Sequence, residues 1–192
     1  NYSYNFQGHF NGNEHSITGI KYSSTTTSST SNSAYGGLFG YIYGSVIENF
    51  TIASGSVSSY YAGALAGYSV SSAIKNCKSV DVDIDSIRYA GGLVGYSFRS
   101  TFSKCMNTSD VTMTRTGTTL SGYSGGITGY GTGSSVSISY NSGTILAYQS
   151  KYDNSQILYA GGIAGSFGVG SISECYNLGY IRAGYNTSTS TS

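Results

Sequence analysis

The densest group of acidic side chains lies in SVDVDIDS (79–86), where Asp81, Asp83 and Asp85 alternate with aliphatic residues. This period of two predicts a strand with three carboxylates on its outer face. Such carboxylates could act as acids or bases on a uronate polymer, or hold a calcium ion. Catalysis on uronate needs acids on the neighbouring strands and basic residues beside them, and the next similar stretch offers only Asp110 followed by threonines. We therefore interpret this face as a solvated surface that discourages sideways aggregation, with calcium binding and catalysis as alternatives.

The cysteines and histidines do not form a recognisable nucleophilic or zinc-binding set. Both histidines lie in the first 15 residues, whereas the cysteines are Cys77, Cys105 and Cys175. Zinc needs four convergent ligands, and parallel side chains on neighbouring strands hold the Cβ atoms too far apart for a disulfide without a twist. We predict buried free thiols rather than a bridge, and no catalytic residue, metal site or cofactor.

Tyrosine is unusually frequent, with 20 residues in 192 and only 9% charged residues beside them. Strand parity places four of them on one face, opposite a ladder of leucine and isoleucine. They could form a packed aromatic ladder, or an interaction stripe for a glycan, a host surface or a neighbouring rod. The candidate stripe consists of Tyr41, Tyr68, Tyr96 and Tyr130. The direction of a second set, Tyr61, Tyr89, Tyr123 and Tyr159, stays open because glycines flank it.

These side chains belong to a glycine-rich phrase that occurs five times, with starts 27, 28, 34 and 36 residues apart. The copies are AYGGLFGY (34–41), YAGALAGY (61–68), YAGGLVGY (89–96), YSGGITGY (123–130) and YAGGIAGS (159–166). Ten residues after the last glycine comes a residue of a second ladder, namely Phe50, Cys77, Cys105, Ser139 and Cys175. This constant spacing indicates a rigid part of each repeat, and the variable polar stretches 114–122 and 148–157 indicate loops.

The repeats predict an all-β fold, a parallel β-helix (β-solenoid) with rungs of about 27–36 residues, each rung being one repeat. A helical period is absent, and glycine at this density would destabilise helices. One short repeat cannot bury its apolar face alone, so the repeats must stack in register. The predicted inward ladder is Leu38, Leu65, Leu93, Ile127 and Ile163. We expect the glycines to supply backbone conformations closed to other residues at the corners.

The phrase G-G-L-V-G-Y followed by I-x-x-C-x-N, as at 172–177, resembles the GLUG-motif repeat family of bacterial-type surface proteins and adhesins. The stretch FQGHFNGNEHSITGI (6–20) resembles the segment that commonly opens such repeat regions. The resemblance covers roughly 6–184 and implies a β-solenoid scaffold, found also beside immunoglobulin-cleaving peptidase domains. Ala64, Ser139 and Ser166 depart from the pattern, as do the longer loops of the last two repeats.

Composition limits the other functions. The net charge is +1 with scattered charges, which argues against nucleic-acid binding. The sequence has no run of 18 apolar residues, so we predict no membrane insertion.

We predict a single domain with three parts. They are an opening rung and Ser/Thr-rich loop (1–34), five repeats (35–184) and a Ser/Thr-rich tail or linker (185–192).

The predicted function is a non-enzymatic structural rod or fibre subunit, extracellular or at a cell surface. Its expected partners are further copies stacked end to end, or a glycan or host surface. An adhesin module that binds carbohydrate or protein through the stripe or the loops is the alternative.

Overall fold

The computed structural model describes residues 5–115, 121–149 and 157–185. Within these ranges the protein is all-β, with one short 3-10 helix at Asn32–Ala34. No helix in the described ranges is long and apolar enough to cross a membrane. The predicted tail beyond Tyr185 and the inner parts of the two predicted polar loops lie outside the described residues.

Strands follow one another along the chain with short connections. They are β1 (His9–Asn11), β2 (Ser16–Ser23), β3 (Tyr35–Gly36), β4 (Tyr41–Tyr43), β5 (Val46–Gly63), β6 (Ala66–Val70), β7 (Ala73–Gly91), β8 (Val94–Phe98), β9 (Thr101–Ser103), β10 (Met106–Asn107), β11 (Val111–Arg115), β12 (Gly122–Gly125), β13 (Thr128–Thr132), β14 (Ser135–Ser137), β15 (Tyr140–Asn141), β16 (Ile145–Gln149), β17 (Leu158–Gly161), β18 (Ala164–Gly168), β19 (Ser171–Ser173), β20 (Tyr176–Asn177) and β21 (Ile181–Tyr185). The long strands β5 and β7 run through positions that later repeats divide among several short strands.

All strand pairs between described residues are parallel, and each strand pairs with the equivalent strand of the next repeat. Two sheets result. A five-stranded sheet has the order β18-β13-β8-β6-β4, and the remaining strands form a 16-stranded sheet. The glycine-rich phrase carries the chain from the large sheet into the small one, for example from β7 through Gly92 and Leu93 to β8. The predicted all-β class and parallel pairing are therefore confirmed.

Equivalent residues of successive repeats lie side by side, as the repeat alignment predicts. In the small sheet Tyr68 pairs with Tyr96 and Tyr96 with Tyr130; in the large sheet Ile74 pairs with Phe102. The backbone N–H of Leu65 donates to Leu93 O (3.0 Å), and that of Leu93 donates to Ile127 O (3.1 Å). Each repeat thus satisfies the backbone hydrogen bonds of the next, which is the physical basis for a fold made of units too small to fold alone.

The predicted aliphatic ladder forms the centre of the core. Leu65, Leu93 and Ile127 are fully buried, whereas Leu38 and Ile163, in the first and last repeats, are only partly buried. Burial of a leucine or isoleucine side chain contributes about 1.5–3 kcal/mol, so the ladder is a main source of stability.

The second predicted ladder also lies in the core, where Cys77 and Cys105 are buried free thiols and Cys175, in the last repeat, is only partly buried. Phe50 pairs with Cys77, and the Cys105 N–H donates to Ser139 Oγ (3.0 Å). Cys77 and Cys105 are buried, and burial raises the pKa of the Cys105 thiol to about 12. A buried thiol that stays protonated is a packing residue rather than a nucleophile.

The first repeat departs from the predicted alignment by one residue. Tyr35, not Ala34, pairs with Tyr61, although Tyr41 still pairs with Tyr68. The first copy of the phrase is therefore one residue shorter between these positions. Gly37 and Gly40 of this copy have positive φ values of 154° and 62°, a backbone that favours glycine and lets the shorter segment span the same corner.

In the later copies, glycine is needed for close approach rather than for positive φ. A Cβ on Gly91 would overlap the carbonyl oxygen of Val94, and a Cβ on Gly125 would overlap that of Thr128. Our expectation of special backbone conformations is therefore correct for the first copy and wrong for the others. There the chain folds so tightly against itself that a side-chain carbon has no room.

The acidic strand alternates as predicted, except at its start. Val82 and Ile84 are buried and the three aspartates are exposed, but Ser79 is buried where Val80 was expected. Asp81 has φ 52°, and this left-handed residue reverses the in-out order of the strand. A period-two pattern cannot reveal such a reversal, because it assumes extended backbone throughout.

Candidate functional site

The stripe predicted from the sequence is a continuous set of ring contacts on the outer face of the small sheet. The rings of Tyr68 and Tyr96 stack with centroids 4.9 Å apart, and those of Tyr96 and Tyr130 stack 5.0 Å apart. Tyr41 instead meets Tyr68 edge to face at 5.1 Å. In-register parallel strands place equivalent residues about 4.8 Å apart, which is a natural spacing for stacked rings.

A second row of tyrosines, here called the corner ladder, follows the edge where the large sheet turns into the small one. Its rings stack at 4.9–5.2 Å and are those of Tyr35, Tyr61, Tyr89, Tyr123 and Tyr159. The corner ladder points toward the stripe, a direction that the sequence left open. Edge-to-face contacts join the two rows, such as Tyr89 with Tyr96 at 5.3 Å.

These contacts restrict what the stripe can offer a ligand. The faces of Tyr96 are covered by Tyr68 and Tyr130, and Tyr41 is buried. What remains at the surface along the stripe is mainly ring edges and hydroxyl groups. The stripe is thus a packed aromatic ladder, and its predicted binding role applies only to this narrow exposed part.

The packing changes the acidity of the phenols. Burial raises the pKa of Tyr61 and of Tyr89 above the ordinary 10.0, and neighbouring phenols add to this effect. The Arg88 guanidinium, 4.8 Å from the centroid of the Tyr89 ring, opposes the increase without cancelling it. Both phenols therefore stay neutral in the folded protein at pH values where unfolded tyrosine ionises.

We expect stability to fall as the pH rises above about 10, because unfolded tyrosines lose protons there while Tyr61 and Tyr89 keep theirs. The stabilisation is complete below the unfolded pKa and is lost as the pH rises toward the folded value. Each of the two tyrosines contributes a slope of at most about 1.4 kcal/mol per pH unit. Urea denaturation across this pH range measures the slope, and Tyr89→Phe should reduce it; an unchanged slope in that variant would contradict the assignment.

A surface groove adjoins the first part of the stripe. It has a volume of about 480 Å³. Its lining residues are Asn5, Gln7, Tyr41, Tyr43, Tyr68, Val70 and Phe98. We call this the aromatic groove. Tyr43, Val70 and Phe98 are register partners on β4, β6 and β8, so they lie side by side on one face of the small sheet.

The far wall of the aromatic groove comes from the segment before β1. The Phe6 N–H donates to Tyr41 O (2.9 Å), and the Tyr43 N–H donates to Phe6 O (3.0 Å). This parallel bridge turns Phe6 toward the core, where its ring lies 4.8 Å from that of Phe39. Asn5 and Gln7 consequently face outward beside the tyrosines.

Tyr43 and Phe98 were missed in the sequence analysis. Each stands two residues after a stripe tyrosine, which is the signal that could have found them. In successive repeats this position holds Tyr43, Val70, Phe98 and Thr132. Because the residue type differs in each repeat, the sequence alignment shows no pattern at this position.

The acidic side chains form a separate surface. Asp81, Asp83, Asp85 and Asp110 line two shallow grooves of about 310 and 320 Å³ with threonines beside them. Within the described ranges, no group of three or more His, Cys, Asp or Glu residues could hold a metal ion.

The histidines lie elsewhere, at the beginning of the described chain. His9 Nε2 is 2.8 Å from Glu48 Oε1, and the His15 backbone N–H donates to Gly12 O (2.8 Å). Neither interaction brings a histidine to a cysteine, and the pairing of His9 with Glu48 is an exposed surface contact.

Comparison with known proteins gives one informative match. No family model and no curated protein matches the sequence. The crystal structure of a "putative immunoglobulin A1 protease" from Bacteroides ovatus is similar, with a TM-score of 0.62 and 19% sequence identity. The match covers 88% of this chain and 59% of the other, so this chain spans less than two thirds of that protein.

This match corrects one prediction. The sequence led us to predict that the protein is not an enzyme, and a structural neighbour named as a protease contradicts that prediction. At 19% identity the similarity itself demonstrates a shared fold, and the protease name belongs to the Bacteroides ovatus protein. This chain therefore shares its all-β fold of parallel strands with that protein over most of its length.

Proposed function

We propose that this chain is a β-solenoid of GLUG-like repeats and serves as a structural rod in a larger extracellular or cell-surface protein. The observation that carries the proposal is the unbroken parallel register, in which the same positions of successive repeats pair from β4 to β18 and from β9 to β19. A chain in which each repeat contacts mainly its neighbours grows in one direction and forms an elongated particle.

The comparison supports a place within a longer protein. This chain matches 59% of the Bacteroides ovatus protein, whose name assigns it to proteases that act on immunoglobulin A1. We therefore propose that the rod supports or positions an enzymatic function in its parent protein, with immunoglobulin as a candidate substrate. A rigid scaffold that carries functional groups on its loops and surface is a common arrangement in repeat proteins.

We propose end-to-end stacking as a mode of self-association, through the surface that the last described repeat presents. Ile181 and Leu178 are 40% and 75% exposed, whereas Ile145, the register partner of Ile181 in the preceding repeat, is fully buried. The strands of this repeat also leave one edge of backbone donors and acceptors without a neighbouring strand in the described chain. Such an edge pairs readily with another strand.

Small-angle X-ray scattering and sedimentation velocity test both parts of this proposal. We expect an elongated particle whose mass increases with protein concentration. Leu178→Lys, at the open end, should suppress the increase, and Ile138→Lys is the matched control because Ile138 is 50% exposed in the preceding repeat. A compact particle would contradict the rod, and a constant monomer mass would contradict stacking.

A second candidate function is ligand binding, as in an adhesin. The specific observation in its favour is the aromatic groove, which combines rings and amide side chains in a concave surface next to Tyr41 and Tyr68. Mostly apolar clefts with a few polar groups are typical ligand sites.

A further inference from the structure

We propose that the aromatic groove binds a neutral oligosaccharide; this inference rests on the ligand-binding function just proposed and names its ligand. The seven lining residues include three tyrosines, one phenylalanine and two amides, and none carries a charge at neutral pH. A polyhydroxylated ligand has apolar C–H faces that pack on aromatic rings and hydroxyl groups that bond to amides. An uncharged lining favours an uncharged ligand, because a buried charge without a partner is costly.

Tyr43 supplies the accessible ring. Its side chain is 45% exposed, and within the described chain no other aromatic ring stacks on it, in contrast to the rings of the stripe. Phe98 lies two strands away in the same register column, with Val70 between them. Two strand spacings of about 4.8 Å place the backbones of Tyr43 and Phe98 roughly 10 Å apart. Val70 has a smaller side chain than its two neighbours, so the groove is deeper between Tyr43 and Phe98. A ligand of two or more linked sugar rings fits this spacing.

The amides supply directional contacts. Gln7 Nε2 donates to Asn5 Oδ1 (2.8 Å), which orients the Gln7 side chain along the wall. A primary amide has two N–H donors and one carbonyl acceptor, so Gln7 keeps a donor and an acceptor for ligand hydroxyl groups. Sugar hydroxyl groups both donate and accept, and an amide can serve both roles.

The groove is also rigid. Its wall is joined to β4 by the two Phe6 backbone hydrogen bonds, and its floor is part of a sheet with paired strands on both sides of β6. Tyr41 and Tyr68 are braced from behind by Tyr35 of the corner ladder, at 5.8 and 5.6 Å. A preformed site loses little conformational entropy on binding, which helps a weakly interacting ligand such as a sugar.

Arg99 suggests an alternative ligand, an acidic glycan, which the experiment must distinguish from a neutral one. Its guanidinium lies 4.9 Å from the centroid of the Phe98 ring, at the end of the groove. If the ligand were an acidic glycan, Arg99 would pair with its carboxylates and binding would weaken steeply with salt. The uncharged lining predicts binding that is insensitive to salt and to Arg99→Gln.

The experiment uses an array of neutral gluco-, galacto- and manno-oligosaccharides together with uronate oligosaccharides, followed by calorimetry on the neutral compounds that bind. Tyr43→Ala should weaken binding at least about tenfold, or about 1.4 kcal/mol, through loss of ring contact. Tyr43→Phe keeps the ring and should retain affinity within about threefold. The matched control is Tyr176→Ala, because Tyr176 is 53% exposed but stacks on Tyr140, outside the groove.

Three results would overturn the proposal: no binding of any neutral oligosaccharide at millimolar concentration, binding that Tyr43→Ala leaves unchanged, or binding of uronates alone. Ligand binding as a function would survive the second and third results, since a ligand would still bind elsewhere or with another charge. The rod is judged separately by scattering, which none of these substitutions should alter.

Discussion

Gly91→Ala is expected to lower the free energy of unfolding by at least about 3 kcal/mol. The added Cβ would overlap the carbonyl oxygen of Val94 and crowd the backbone N of Gly129 in the next repeat. Both are backbone atoms in hydrogen-bonded sheets, so neither can move without breaking the register of two repeats. The clash therefore cannot be relieved by a side-chain rotation.

Gly168→Ala is the matched control for this prediction. Gly168 lies on strand β18 and has no positive φ, and a Cβ added there would lie 3.8 Å from Thr132 Oγ1, which is an ordinary contact. Its substitution should be neutral or stabilising by up to about 1 kcal/mol, because alanine loses less backbone entropy than glycine on folding. Urea denaturation followed by circular dichroism measures both variants. Equal effects would show that close approach is not the reason for glycine at position 91.

Asn141→Ala should cost about 3 kcal/mol, because a buried chain of amides runs through three repeats. The Asn107 Nδ2 donates to Asn141 Oδ1 (2.7 Å), and the Asn141 Nδ2 donates to Asn177 Oδ1 (2.6 Å) and to Gly143 O (2.8 Å). Removing the middle amide leaves a buried donor on Asn107 and an acceptor on Gly143 without these partners. Unsatisfied buried groups cost more than the bonds themselves contribute.

Asn177→Ala tests the same interaction at the end of the chain of amides. Asn177 is only partly buried in the last described repeat, so water can replace its hydrogen bonds. We expect a loss of less than about 1.5 kcal/mol, again from denaturation curves. A loss as large as that of Asn141→Ala would mean that the amides contribute individually, and not through burial of the network.

Much of the fold was predictable because the aligned repeats define which residues of neighbouring strands pair with each other. Once Leu65 and Leu93 are aligned, parallel pairing of the strands that flank them follows, and the structure confirms it, with one irregularity between Ser59 and Tyr61. The shift at Tyr35 was not predictable, because the first phrase looks complete when it is aligned on its glycines. The reversal at Asp81 was hidden for another reason: aspartate tolerates left-handed backbone but does not require it.

The candidate site was less predictable than the fold. Tyrosine repetition identified the stripe, yet repetition itself leads to stacking, and stacking covers the ring faces that a ligand would use. The available ring, Tyr43, stands in a column whose residue types vary. Variation along an exposed column is compatible with recognition of a ligand, whereas uniformity serves packing.

The corner ladder has a consequence for how such chains diversify. The polar segments of variable length all join it from the same side: one ends at Tyr35, and others lie between β11 and β12 and between β16 and β17. In β5 the corresponding place is an irregularity between Ser59 and Tyr61. Length changes therefore accumulate just ahead of the stacked phenols, which hold the following strand in register regardless of what precedes it. An epitope or peptide grafted at this point should be tolerated, whereas the same insertion within the ten residues after the last glycine should prevent folding.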